Sequence, residues 1–163
     1  MSQPVPPPGN PFADGAAPQP YPMAPPPAPA RGNVGLGLVA ALVAALVAAG
    51  LYGGIAGAVE REIGWAAVGV GFLIGFAAGK TGGNNPVLSV VSAVLSLGSV
   101  YLGELIALSI FAAKDLNVSA TEIFFEHFDV LTAAWKEEVD PLTFLFFALA
   151  AFAAFSGAKK AAQ

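Results

Sequence analysis

Four apolar blocks separated by short polar stretches set the rhythm of this chain. The first runs from Val34 to Val59 without a charged residue, and its Ala/Leu/Val stretch from Leu38 to Ala49 favours helix. Glu60-Arg61-Glu62 ends it, because consecutive charges are costly in hydrocarbon. The second block, 63–79, covers about 26 Å at 1.5 Å per residue, the lower limit for crossing a bilayer, so it should stand nearly upright. Lys80-Thr81-Gly82-Gly83-Asn84-Asn85-Pro86 then predicts a turn. The third block, 87–113, is long enough to tilt, and the fourth, 141–158, opens with Pro141, which suits a first helical turn. Blocks close to or above about 17 apolar residues predict an all-α integral membrane protein, a four-helix bundle.

The interval between the third and fourth spans carries its own helical signal. Ser119-Ala120-Thr121-Glu122 fits a capping box, and Phe124, Phe128, Leu131 and Trp135 recur at helical spacing. The pattern predicts an amphipathic helix over 119–136, lying on the membrane surface or across the mouth of the bundle. Its acidity is unlike a lipid-binding helix, which favours Lys and Arg, so contact with the bundle or a protein partner is at least as good a reading.

Ahead of the spans, residues 1–33 form a different unit. Twelve of the fourteen prolines lie between Pro4 and Pro29, among Ala, Gly and Gln. Such a segment buries too little apolar surface to offset its ordering entropy, and it reads as a disordered, polyproline-biased spacer. It has no apolar run of the kind a cleavable signal peptide carries. A short basic tail, 159–163, is expected at the other end.

Composition narrows the chemistry. Only 11% of residues are charged and 56% are hydrophobic, against about 25% charged in soluble domains. Seven Lys and Arg against eleven Asp and Glu argue against a nucleic-acid partner. The absence of cysteine removes thiolate sites, and one histidine, His127, without a Glu-x-x-His spacing gives no metal ligand set. No nucleophile–base pair lies within the spans, so no catalytic residue, metal or cofactor is expected.

Orientation follows from the basic residues flanking the spans. Four spans put both termini on one side with Arg31, Lys80, Lys159 and Lys160, leaving Arg61, Lys114 and Lys136 opposite. The difference is small, but a long tail is also easier to leave inside than to translocate, so both termini are expected in the cytoplasm.

Small residues mark the packing faces. Gly50 and Gly54, then Gly53 and Gly57, form overlapping four-residue steps in the first span, and Gly71, Gly75 and Gly79 continue the pattern in the second. Glycines so spaced share one helix face and let backbones approach closely, within an α-hairpin of the two spans or between copies of the chain. Ser89, Ser92, Ser96, Ser99 and Gly103 give a comparable seam in the third span. Glu104 breaks the apolar character of that span. Counted from Lys114 it lies about 15 Å inside, and about 110° around the helix from the serine seam. An ionised carboxylate there costs on the order of 2.5–3.5 kcal/mol unless water, a proton or a partner offsets it. Ser109, Tyr52 and Tyr101 are the candidate hydrogen-bond partners.

The run Ile63-Gly64-Trp65 through Gly75-Phe76, the step Leu102-Gly103-Glu104-Leu105 and the segment Asp140-Pro141-Leu142-Thr143-Phe144 resemble small, uncharacterised four-span bacterial membrane proteins over residues 34–158. Glu104 stands where those proteins carry a neutral polar residue. The resemblance implies the architecture and a bacterial inner membrane location, with no activity attached. The expectation is therefore a non-catalytic structural or accessory protein of the bilayer, packing with itself or a larger membrane complex. The alternative is a small channel or transporter subunit with Glu104 as a proton or cation site.

Overall fold

The computed structural model describes residues 32–61 and 63–163; the Pro-rich segment expected as a tail, apart from Gly32 and Asn33, lies outside the described residues. Six α-helices and no strand occur among them: α1 (Val34–Val59), α2 (Gly64–Gly82), α3 (Pro86–Leu116), α4 (Ala120–Glu126), α5 (Phe128–Glu138) and α6 (Pro141–Ala161). α1, α2, α3 and α6 are each long and apolar enough to cross a membrane. By length and composition this is a membrane protein.

Side chains ahead of α1, α3, α4 and α6 each satisfy one of the helix's first backbone donors, while α2 and α5 start without a side-chain cap. Asn33 accepts from the Leu36 N–H, Asn85 from Val87 with Pro86 in the first turn, and Ser119 from Glu122. The reciprocal capping box is found at α6, where Asp140 accepts from the Thr143 N–H and the Thr143 side chain accepts from the Asp140 N–H. At Ser119 the serine accepts from Glu122 as expected, while its other neighbour is the donating Thr121 hydroxyl.

The backbone N–H of Thr143, and after it the Thr143 hydroxyl, hold the Asp140 carboxyl below its ordinary 3.8. A depressed folded-state pKa means that the cap contributes fully above the ordinary value and is lost as pH falls through the lower one. In an NMR carboxyl titration Asp140 should therefore have its midpoint below 3.8. Thr143→Ala should raise it only part of the way, since the stronger backbone donor remains. A wild-type midpoint at or above the ordinary value would contradict the capping box.

Several helices run further than the apolar pattern implied. α2, expected over 63–79, continues to Gly82, its Thr81 hydroxyl donating back to the Ala77 carbonyl at 2.8 Å. α3 spans Pro86–Leu116 instead of 87–113. α6 takes in Lys159 and Lys160, so most of the expected basic tail is helical. Cations at a helix C-terminus meet its unpaired carbonyls favourably, and Lys159 also lies 4.4 Å from the centre of the Phe155 ring. The single amphipathic helix expected over 119–136 is two helices bent at His127 (φ −123°, ψ 36°). At the bend the His127 N–H closes α4 on Ile123 O, and the His127 carbonyl opens α5 by accepting from the Leu131 N–H. Both halves thereby reach one apolar cluster, in which Ile123 and Leu131 are buried with Leu105 and Ala113 of α3.

Among the four long helices, α2 and α3 occupy the middle, with α1 and α6 on opposite flanks and not touching each other. The closest approaches join parallel helices. Gly71, Gly75 and Gly79 of α2 lie in register against the backbone of Ala150, Ala154 and Ala158 of α6. Gly53 and Gly57 of α1 lie against Gly103, Ile106 and Ile110 of α3. The sequence reading placed the glycine steps at an α1–α2 hairpin. Those two helices do touch, Gly37 lying on Gly82 and Ala78, but the glycine rows serve the two parallel pairs. Gly50 and Gly54 have no atom within 4 Å of where a Cβ would stand, so they face away from all neighbours.

The serine seam faces α1. Ser89, Ser92, Ser96 and Ser99 are buried, and the Ser99 hydroxyl donates to the Ala45 carbonyl of α1 at 2.7 Å. An interhelical bond of this kind contributes about 0.6–2 kcal/mol in a membrane. Ser96 and Ser109 instead donate to carbonyls of their own helix, Ala93 and Ile106.

Candidate functional site

Glu104 was expected deep in the third span; the structure puts it where two other helices begin. It lines a cleft of about 110 Å³ together with Gly64, the first residue of α2, and with Asp140 and Thr143 at the start of α6. Glu104 thus stands level with the starts of α2 and α6, and about three turns of α3 follow it. There α3 is flanked by α1, α4 and α5.

Glu104 has a partner that was not among the candidates. The indole N–H of Trp135 on α5 donates to Glu104 Oε2, joining two helices across 31 positions of sequence. Ser109 is occupied by the Ile106 carbonyl. Tyr101 instead holds the indole, its ring meeting Trp135 edge-on at 4.8 Å and 87°. Phe147 of α6 closes the far side at 6.2 Å. Tyr52 of α1 lines the same clefts as Glu104. A buried indole seeks an acceptor for its N–H, which was the one sequence signal for this bond.

A second, smaller cleft, of about 50 Å³, also opens at Glu104. The linker between α1 and α2 brings Arg61 into its wall, beside Glu138 of α5 and Thr143 of α6. Arg61 lies outside every span, so a search for an intramembrane base had no reason to select it. At the rim the chain is held by an ion pair, Lys114 Nζ to Glu60 Oε1 at 2.9 Å, with the same ammonium donating to the Gly57 carbonyl. The hydrogen bond and charge of Lys114 draw the Glu60 carboxyl below its usual range. Both groups are solvent-accessible, so the pair pins α1 to α3 with little net stabilisation.

The predicted apolar face of the intervening helix divides. Leu131 is buried, Phe124 and Trp135 are partly buried, and Phe128 is exposed but stacks edge-on with Phe124 at 5.6 Å. Phe125, 78% exposed, and Val130 project from the same layer. Glu122, Glu126, Asp129, Glu137 and Glu138 are exposed on the same two helices. No group of three or more metal-ligating side chains occurs among the described residues. The arrangement is a hydrogen-bonded clasp beneath an acidic, aromatic-bearing layer. The chain matches no protein-family model, no curated protein and no solved structure.

Proposed function

We propose that this is a non-catalytic accessory protein of a bacterial inner membrane, whose four-span bundle holds the α4–α5 layer as a contact surface for another membrane protein. The observation that carries the reading is how the packing faces are used. The α2 glycine row lies against α6, Gly53 and Gly57 lie against α3, and Ser99 is bonded to α1, whereas Phe125, Phe128 and Val130 remain exposed on two helices that also carry Glu122, Glu126, Asp129, Glu137 and Glu138. Large exposed apolar side chains rimmed by polar ones mark interaction surfaces. Lys80, Lys159 and Lys160 lie at the opposite end, which supports both termini being cytoplasmic.

Uptake of a proton or cation at Glu104, the alternative reading, has weaker support. Below that residue the seam is filled by direct packing: Ser92 and Ser96 are fully enclosed and Ser99 is bonded to Ala45. Trp135 gives Glu104 a positioning role, fixing α5 on α3.

Photo-crosslinking tests the contact surface. A benzophenone amino acid at Phe125 or Phe128 should give discrete protein adducts in native membranes. The same group at Phe152, exposed on the lipid-facing side of α6, should give none. Folded, inserted protein without adducts at Phe125 or Phe128 would overturn the reading.

A further inference from the structure

Between the last turns of α3 and the α4–α5 layer runs an open groove of about 480 Å³. Leu108 and Ala112 of α3 and Leu131 of α5 form its apolar floor. Carboxylates stand at both ends: Asp115 and Glu122 at one, Glu138 at the other. His127 lies near Glu122 on the same wall. From His127 to Glu138 the wall is about 16 Å long, which is about three turns of a helix laid beside it.

The charge around the groove is predominantly negative. Beyond the ends of α2 and α6 the described residues carry eight carboxylates (Glu60, Asp115, Glu122, Glu126, Asp129, Glu137, Glu138 and Asp140) against Arg61, Lys114 and Lys136. Lys114 is engaged by Glu60, and Arg61 lines the neighbouring cleft at Glu104. An apolar floor with carboxylates at both ends complements one type of segment: a short amphipathic helix with an aliphatic face and Lys or Arg at each end. It disfavours an anionic lipid surface, which would meet these carboxylates with like charge.

We infer that the α3/α4–α5 groove receives a basic amphipathic helical segment of a partner membrane protein. This rests on the contact-surface reading and supplies the partner's chemistry. The occupant's aliphatic face covers Leu108, Ala112 and Leu131, while its basic ends meet Asp115 and Glu122 on one side and Glu138 on the other. Charge sets the direction in which it lies, and the floor excludes water from its apolar face.

The test uses the full chain in phosphatidylcholine nanodiscs. The probe is a fluorescein-labelled helical peptide of about three turns, with Leu at i, i+3, i+4 and i+7 and Lys at both ends. Fluorescence anisotropy should show saturable binding above that of empty nanodiscs, weakening as salt rises. Charge reversal at the groove (Asp115→Lys, Glu122→Lys, Glu138→Lys) should weaken binding about tenfold or more, since each reversal turns an attraction into a repulsion. A peptide with Glu in place of Lys should show the opposite preference, binding the reversed variant over the wild type. The neutral set Asp115→Asn, Glu122→Gln, Glu138→Gln should fall between and guards against misfolding of the reversed variant. Binding no stronger than to empty nanodiscs, or undiminished in both variants, would overturn the inference. Adducts at Phe125 without peptide binding would leave the contact surface standing and remove the groove alone.

Discussion

Gly75→Leu should lower the thermal midpoint of the purified protein by at least about 6 °C. That is the shift expected for about 3 kcal/mol of overpacking in a chain of this size. A Cβ at position 75 would run into the backbone carbonyl of Ala154, and Gly71 and Gly79 meet Ala150 and Ala158 in the same way. The obstacle is backbone, so no side-chain rotation relieves it, and α2 and α6 must separate along their length. Lipid chains are as apolar as leucine, so the extra side chain gains nothing by burial, and close packing is the main attraction it removes. Gly69→Ala and Gly98→Ala are the controls, because nothing stands within 4 Å of a Cβ at either position. Each should be neutral or stabilising by up to about 1 kcal/mol, the helix propensity gain. Equal midpoints for Gly75→Leu and the wild type, measured by scanning fluorimetry in detergent, would remove the parallel α2–α6 contact from the account.

Trp135→Ala should release the α4–α5 layer while leaving the long helices packed. The substitution removes the indole bond to Glu104 and the ring contacts with Tyr101 and Phe147. Full truncation of a buried Trp costs about 3–5 kcal/mol. Trp135 is only partly buried, so a loss of about 2 kcal/mol is expected, and amide exchange in α4 and α5 should quicken about 30-fold. Trp135→Phe keeps most of the apolar contact without the N–H donor and should give an intermediate increase. Exchange in the glycine-lined stretch of α2 should not change. A uniform increase over all helices would make Trp135 a residue of the whole fold, and no increase anywhere would mean that it clasps nothing.

The sequence was most legible where the physical requirement is local. The cost of a charge in hydrocarbon acts on each residue where it stands, so Glu60-Arg61-Glu62 and Lys114 bracketed the spans without reference to any neighbour. Helix starts were legible for a similar reason: Ser119 accepts from the Glu122 N–H three residues further on, and Pro141 stands in the first turn of α6. Helix ends were less so. The C-terminal turns of α2 and α6 extend over polar residues that an apolar count excludes but a helix terminus accepts, notably Thr81, Lys159 and Lys160.

Which faces meet was decided by the tertiary structure. Gly50/Gly54 and Gly53/Gly57 have identical spacing, yet only the second pair is packed, against α3. A missing side chain permits close approach and does not specify by what, so the row in α2 could not name α6 over α1. Glu104 shows the same division. Its place in α3 and its angle from the serine seam came from helical arithmetic. Its neighbours depended on where α2 and α6 begin, and its bond from Trp135 on how α5 folds back along α3. By itself the sequence determined the helices, the spans and the charge at each end, because hydrophobicity, capping and charge act within a few residues. Parallel pairing, the clasp and the groove needed the tertiary structure, because each joins residues that are neighbours only once the helices have packed.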